Sequence, residues 1–139
     1  MALMTATFVP GFIGIGLVPD AGSTWFLHRL LGFARAFEWM VSNRRLSADE
    51  ALAWGLLSEV APEDSFAARV DELASWYAAL PTRGVALTKR LFEHAYDASL
   101  DEQLALEAEL QQAATETADF REGVQAFLEK RPPGWVGKS

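Results

Sequence analysis

One break in the first quarter of the chain constrains the fold more than anything after it. Residues 12–18, Phe-Ile-Gly-Ile-Gly-Leu-Val, are apolar and glycine-rich, and Pro19 and Asp20 interrupt them. Residues 22–31 then read as a helix, ended near Gly32. Proline fixes φ and lacks a backbone donor, so a regular element does not run through position 19. Upstream, Thr5, Thr7, Phe8 and Val9 favour a short strand over residues 4–9. The run Gly11 to Gly16 is too free in φ and ψ to predict a helix. The order is strand, loop, acid, helix, which is the middle of an α/β unit. The sheet partners of such a strand are expected to lie outside the chain. Asp20 is the one carboxylate at this junction, with apolar residues before it and small residues after it.

The remainder reads as helices punctuated by Gly and Pro. Phe33, Ala36, Phe37 and Met40 fall on one face of a helix over 33–42. Ser47 followed by Glu50 is a capping box opening a short helix, with Gly55 just past its end. Leu56 to Val60 reads as a second short strand. Pro62 leads into a helix over 63–80, with Phe66, Val70, Leu73, Trp76 and Tyr77 at helical spacing, and Pro81 closes it. Further helices are expected over 83–97, 100–115 and 117–131, followed by an extended tail, Arg-Pro-Pro-Gly-Trp-Val-Gly-Lys-Ser. Trp25, Phe37, Trp39, Trp54 and Trp76 read as core packing. His28 reads as a surface or interface residue, and Glu102, Glu107 and Glu109 as a solvated helix face. The expectation is a mainly α chain with one or two short strands.

Composition excludes several functions. The 139 residues suffice for one domain, and half are hydrophobic, so burial is not limiting. A net charge of −7 argues against a nucleic-acid partner, which needs a basic face. There is no Cys, hence no disulfide, thiolate metal site or cysteine nucleophile. His28 and His94 are far apart, which argues against a metal site. No run of 18 apolar residues suggests a membrane span, and the first residues lack the basic start of a signal peptide. A soluble, cytoplasmic protein without a membrane partner is expected.

Several spaced motifs then agree in order. Gly16-Leu17-Val18-Pro19, Gly22-Ser23-Thr24, Leu27-His28-Arg29, and Ser47 to Leu56 together resemble the central segment of the enoyl-CoA hydratase/isomerase (crotonase) superfamily. Asp119 to Lys138 resembles its last helix. The resemblance implies the α/β crotonase-like (ClpP/crotonase) fold, here its C-terminal half only. Residues 1–62 would form part of the spiral core with the acid loop, and residues 63–139 the helical trimerisation region. Full-length members have a further N-terminal half that carries the oxyanion hole and most of the CoA cleft. The chain is therefore expected to be a truncated or fragmentary form, active alone only in doubt.

Within the superfamily the chain looks most like the phenylacetate-pathway isomerases, which convert a ring epoxide of phenylacetyl-CoA to an oxepin-CoA and also shift enoyl-CoA double bonds. The resemblance implies a role in phenylacetate or fatty-acid catabolism, with an acyl-CoA thioester as substrate. Coenzyme A would be carried on the substrate and no separate cofactor used. It also implies a homotrimer or hexamer. In such members the acid at Asp20 is the catalytic acid/base; 4-chlorobenzoyl-CoA dehalogenases place a nucleophilic Asp there, and hydratases usually Gly. Hydratases have a catalytic Glu where Phe12 stands, and Phe12 cannot transfer a proton, so water addition is disfavoured. A non-catalytic helical oligomerisation module is the alternative from outside enzymology.

Each candidate residue carries two readings. Asp20 is either a helix N-cap, stabilised by the helix dipole, or an acid/base beside a thioester. Gly22, Ser23 and Thr24 either pack closely at a helix start or turn N–H groups toward a ligand anion or enolate. Phe127 and Lys130 are either a packed ring and a solvated amine, or, by resemblance to hydratases, holders of the CoA adenine and phosphates.

Overall fold

The structure is a computed structural model that describes residues 1–137. The last two residues of the expected tail lie outside the described residues. The chain divides into two compact units, Met1–Asp71 and Glu72–Ser139.

The first unit contains β1 (Ala2–Leu3), β2 (Thr7–Phe8), a 3₁₀ turn (Ile13–Ile15), α1 (Ser23–Leu31), α2 (Phe33–Ser42), β3 (Leu46–Ser47), α3 (Ala48–Ala53) and β4 (Val60–Ala61). The strand expected over 4–9 is two separate two-residue strands, broken by a turn at Met4 and Thr5. Their partners are in the chain, contrary to expectation. β1 pairs in parallel with β4, Ala2 against Val60 and Leu3 against Ala61. β2 pairs antiparallel with β3, Thr7 against Ser47 and Phe8 against Leu46. The second expected strand is shorter than Leu56–Val60 and sits later, because Leu56 and Leu57 both donate their N–H groups to the Ala51 carbonyl.

Pairing β2 with β3 buries Leu46 completely. Around it pack Leu31, Ala36, Trp39, Met40 and Ala51, with Phe8, Leu27, Trp54, Leu56 and Leu57 half-buried against them. Trp39 donates its indole N–H to the Arg44 carbonyl at 3.1 Å and meets Trp54 edge to face at 6.5 Å. That satisfies the polar end of a buried ring. The predicted capping box is present: Ser47 Oγ accepts from Glu50 N–H at 3.2 Å and Glu50 reaches back to Ser47 N–H. Glu50's carboxyl is held below the usual range, first by the Ser47 N–H and then by Arg44.

α4 (Glu63–Ala78) contains no buried residue. Trp76 and Phe37, read above as core, are each 56 % exposed. Helical spacing puts such residues on one face but says nothing of what covers it.

The second unit holds α5 (Thr82–His94), α6 (Leu100–Thr115) and α7 (Ala118–Glu129). Gln103 joins α6 to α5, donating to the Leu91 carbonyl at 3.2 Å and accepting from His94 Nδ1 at 2.9 Å. A second capping box, Ser99 with Glu102, opens α6. Glu102 is exposed, as are Glu107 and Glu109, and its carboxylate also serves that cap. α7 is capped by Thr117, whose Oγ accepts from Phe120 N–H at 3.1 Å. The tail beyond α7 does not run free. Arg131 makes a two-pronged ion pair with Glu122 at 2.6 and 3.0 Å, and Gly134 N–H adds a bond to Glu122 at 2.7 Å. The buried Asp119 carboxylate accepts the N–H groups of Val136 and Gly137. Among the described residues no helix is long and apolar enough to cross a membrane.

Two outcomes follow from these contacts. Leu46→Ala is expected to destabilise by about 2–5 kcal/mol, through lost burial and the cavity left behind. Ser47→Ala, which removes only the cap, is expected to cost about 1 kcal/mol. Urea unfolding of the two variants checks the order. The second outcome concerns pH. Arg131, then Gly134 N–H, lowers the Glu122 carboxyl from 4.5 to about 2. A depressed carboxyl stabilises the docked tail fully above its unfolded value and loses that effect as pH falls toward the folded one. The Trp135 indole NMR signal is therefore expected to report tail release between pH 4.5 and about 2. Glu122→Gln should lack that transition.

Candidate functional site

Asp20 sits where the chain makes a tight turn into α1. Its carbonyl accepts the Ser23 N–H at 2.9 Å and the Ser23 hydroxyl at 2.7 Å. The two residues inside this turn both have positive φ, Ala21 at 51° and Gly22 at 75°. Gly adopts that region freely, but an alanine there is strained by about 1 kcal/mol or more. The turn is thus kept at some cost, directly after the acid.

The capping reading of Asp20 is not what the structure shows. The N-cap of α1 is Gly22, and no side chain caps this helix. The positive φ values at Ala21 and Gly22 carry the chain through the turn before α1 begins, so Asp20 lies too far back to be its cap. Asp20 is exposed, and among the described residues its carboxylate has no hydrogen-bond or ion-pair partner. A carboxylate left unused by the local fold is available to a ligand.

The neighbouring candidates are only partly as expected. Gly22, Ser23 and Thr24 do form the start of α1. The Ser23 N–H, however, is spent on the Asp20 carbonyl, so it does not face a ligand. Thr24 is exposed, and its carbonyl accepts from His28 Nδ1 at 2.6 Å. That bond puts a proton on Nδ1 and leaves Nε2 to accept from Arg29 at 3.4 Å. His28 is exposed, as read from the sequence. Arg29 lies over the Trp25 ring, 3.9 Å from its centroid.

A cleft of about 230 Å³ opens beside the turn, lined by Ile13, Pro19, Ser23, Thr24, Leu27, Phe37 and Met40 among others. Its walls are almost wholly apolar; Pro19 and Ser23, before and after Asp20 in sequence, line it, and Asp20 itself does not. Phe33 and Phe37 stack with ring centroids 5.5 Å apart at its rim.

The loop before the acid is held from α2. Gly11 donates its N–H to Asn43 Oδ1 at 2.7 Å. Sequence reading missed Asn43; the available signal was an Asn directly after a helix, where the left-handed conformation recurs. Phe12, at the start of the 3₁₀ turn, is half-buried, and its carbonyl accepts from Ile15 and Leu17.

Phe127 and Lys130 belong to the other unit. Phe127 is 82 % exposed and lines a second apolar cavity of about 410 Å³ with Phe120, Gly123, Val124 and Trp135. Lys130 lies just beyond α7, not within it, and ends the helix in the left-handed region with φ 56°. The structure thus gathers Asp20, Gly22, Ser23 and Thr24 in one turn and places Phe127 and Lys130 together at the end of another helix.

Comparison with known proteins bears on this arrangement. The enoyl-CoA hydratase/isomerase family profile matches residues 1–138. The chain is 41 % identical over 138 residues to 1,2-epoxyphenylacetyl-CoA isomerase of Escherichia coli K12, covering 99 % of this chain and 53 % of that protein. It is 43 % identical over 138 residues to a protein of Rhodobacter capsulatus named a probable enoyl-CoA hydratase, covering 99 % and 54 %. The chain spans about half the length of the curated relatives it matches. The crystal structure of enoyl-CoA hydratase from Bacillus anthracis superposes with a TM-score of 0.91 at 32 % identity, covering 98 % of this chain and 53 % of that one. With its mostly helical build, its few short strands and this match along its described length, the chain has a crotonase-like fold and belongs to the enoyl-CoA hydratase/isomerase family.

Proposed function

We propose that the protein isomerises an acyl-CoA thioester, an enoyl-CoA or a ring-epoxide phenylacetyl-CoA, with Asp20 as the acid/base. The observation that carries this reading is the unused, exposed carboxylate at a strained turn beside an apolar cleft. A thioester acidifies the carbon next to it. In a double-bond shift the carboxylate takes a proton from that carbon, charge moves onto the thioester oxygen, and the same proton returns further along the chain. No oxidant or reductant is needed. The apolar cleft suits an acyl or aryl group, and Phe12 offers no second proton carrier for adding water. The likeness to the Escherichia coli isomerase supports the choice of isomerisation. Coenzyme A enters as part of the substrate and leaves with the product. Phe127 and Lys130 suit its adenine and phosphates, the ring by stacking and the amine as a point charge.

We also propose that the protein self-associates, as a trimer or a hexamer built from trimers. Trp76, Tyr77 and Phe92 are 56, 62 and 73 % exposed, a large apolar content for a surface left bare.

Two measurements test these readings on the protein as its gene encodes it. Asp20→Asn is expected to lower isomerisation by roughly 10²- to 10⁴-fold with CoA-ester binding nearly intact. Because Asp20 caps nothing, stability should change by about 0.5 kcal/mol or less. Unchanged turnover on enoyl-CoA and epoxide-CoA substrates would end the acid/base reading. Release of halide from halobenzoyl-CoA would point instead to a nucleophilic Asp20, and a folded protein inert to all three would point to an oligomerisation module. Sedimentation is expected to show a species heavier than one chain; a monomer at high concentration would remove the second proposal.

A further inference from the structure

We propose that Asn43 is the positioning residue of the acid loop, fixing residues 11–16 and thereby the place of Asp20. The inference rests on the reading of Asp20 as acid/base. Three observations carry it. First, the Gly11 N–H to Asn43 Oδ1 bond of 2.7 Å ties the loop to the end of α2. The other backbone bonds of this loop are local, from Ile15 and Leu17 to Phe12 and from Gly16 to Ile13. Second, the grip is close on the other side as well. A Cβ on Gly14 would lie 2.8 Å from Asn43 Nδ2, so glycine at 14 is what lets the amide seat between the two. An N–H donor needs an acceptor, so Gly11 turns Oδ1 to itself and Nδ2 toward Gly14.

Third, the backbone of Asn43 is itself held. It is the C-cap of α2, in the left-handed region at φ 53°, with its N–H bonded to the Trp39 carbonyl at 3.2 Å. Asn tolerates that conformation better than any residue but Gly. Trp39 is 5 % exposed in the core, so the amide is mounted next to a residue enclosed by the core. Asp20 is then held from both directions. Asn43 fixes the loop before it, and Ser23 holds its own carbonyl after it.

The test exploits the backbone of position 43. Asn43→Gly keeps the left-handed cap and removes only the side chain, so the fold should persist. It is expected to lower kcat by about 10-fold or more with KM little changed, since a misplacement near 1 Å can cost about 10²-fold. Asn43→Asp keeps an acceptor for Gly11 and should restore most of the turnover. In an Asp20→Asn background, Asn43→Gly should cause no further loss, because both act through one carboxylate. Amide exchange at Gly11 should quicken in the Gly variant and not in the Asp variant, a readout independent of turnover. Wild-type turnover in Asn43→Gly, equal losses in the Gly and Asp variants, an undiminished loss in the Asp20→Asn background, or unchanged Gly11 exchange would each overturn the proposal. Full turnover in Asp20→Asn alone would instead bring down the acid/base reading, and this inference with it.

Discussion

Trp39 is the contact on which the first unit depends. Its ring is buried against Trp54 and the core around Leu46, and its indole N–H ends on the Arg44 carbonyl. Its own carbonyl accepts from the Asn43 N–H and from the Ser42 hydroxyl. One residue therefore ties the core to the turn that leaves α2, and that turn carries both Asn43 and the approach to β3. Burial of an aromatic ring is non-directional, but the hydrogen bonds at its edge and backbone are directional. Together they turn a packed core into a defined position for a loop.

The helices were legible because their signals are local. The Ser47–Glu50 box, the breaks at Gly32 and Pro81, and the four C-terminal segments could all be read within a few residues, and the structure has them to within a few residues. The Ser99–Glu102 box was equally legible by the same spacing, and the acidic run around it hid it. The strands were legible only in part: β2 falls within the expected strand and β4 begins at the end of the other, but β1 and β3 carried no local signal. Leu46–Ser47 is two residues long and exists because Phe8 and Thr7, far back in the chain, lie beside it. No window of sequence contains both partners. Burial failed for a similar reason: a periodic face identifies Trp76 and Phe37 as alike to Trp39, yet only Trp39 has neighbours that enclose it.

The tail illustrates how charge can do what an apolar core does elsewhere. Asp119 and Glu122, one turn apart on α7, collect the N–H groups of residues 134, 136 and 137 and the Arg131 guanidinium. At Glu122 the Arg131 guanidinium, and then the Gly134 N–H, favour the charged form. Trp135 then lies against Gly123, where a Cβ would come within 3.2 Å of its ring. The stretch reads from sequence as an extended tail, because nothing in Arg-Pro-Pro-Gly-Trp states that two acids upstream will receive it.

The candidate acid makes the opposite use of its surroundings. Several carboxylates are committed: Glu50 and Glu102 to caps, Glu59 to Arg69, Glu122 and Asp119 to the tail. Asp20 is held by its backbone instead. Its carbonyl is bonded to Ser23 twice over, and the positive φ at Ala21 keeps the turn tight. The fold thus fixes where the residue is while spending none of the carboxylate's acceptor capacity. A helix cap could not meet that condition, since capping consumes an oxygen and lowers the carboxyl's affinity for a proton. A proton carrier must meet it, because it has to bind the proton and give it up within one turnover. Under the proposed acid/base reading, position 20 is suited to this second requirement: strain in the backbone beside it, anchors before and after it, and no partner among the described residues for the group itself.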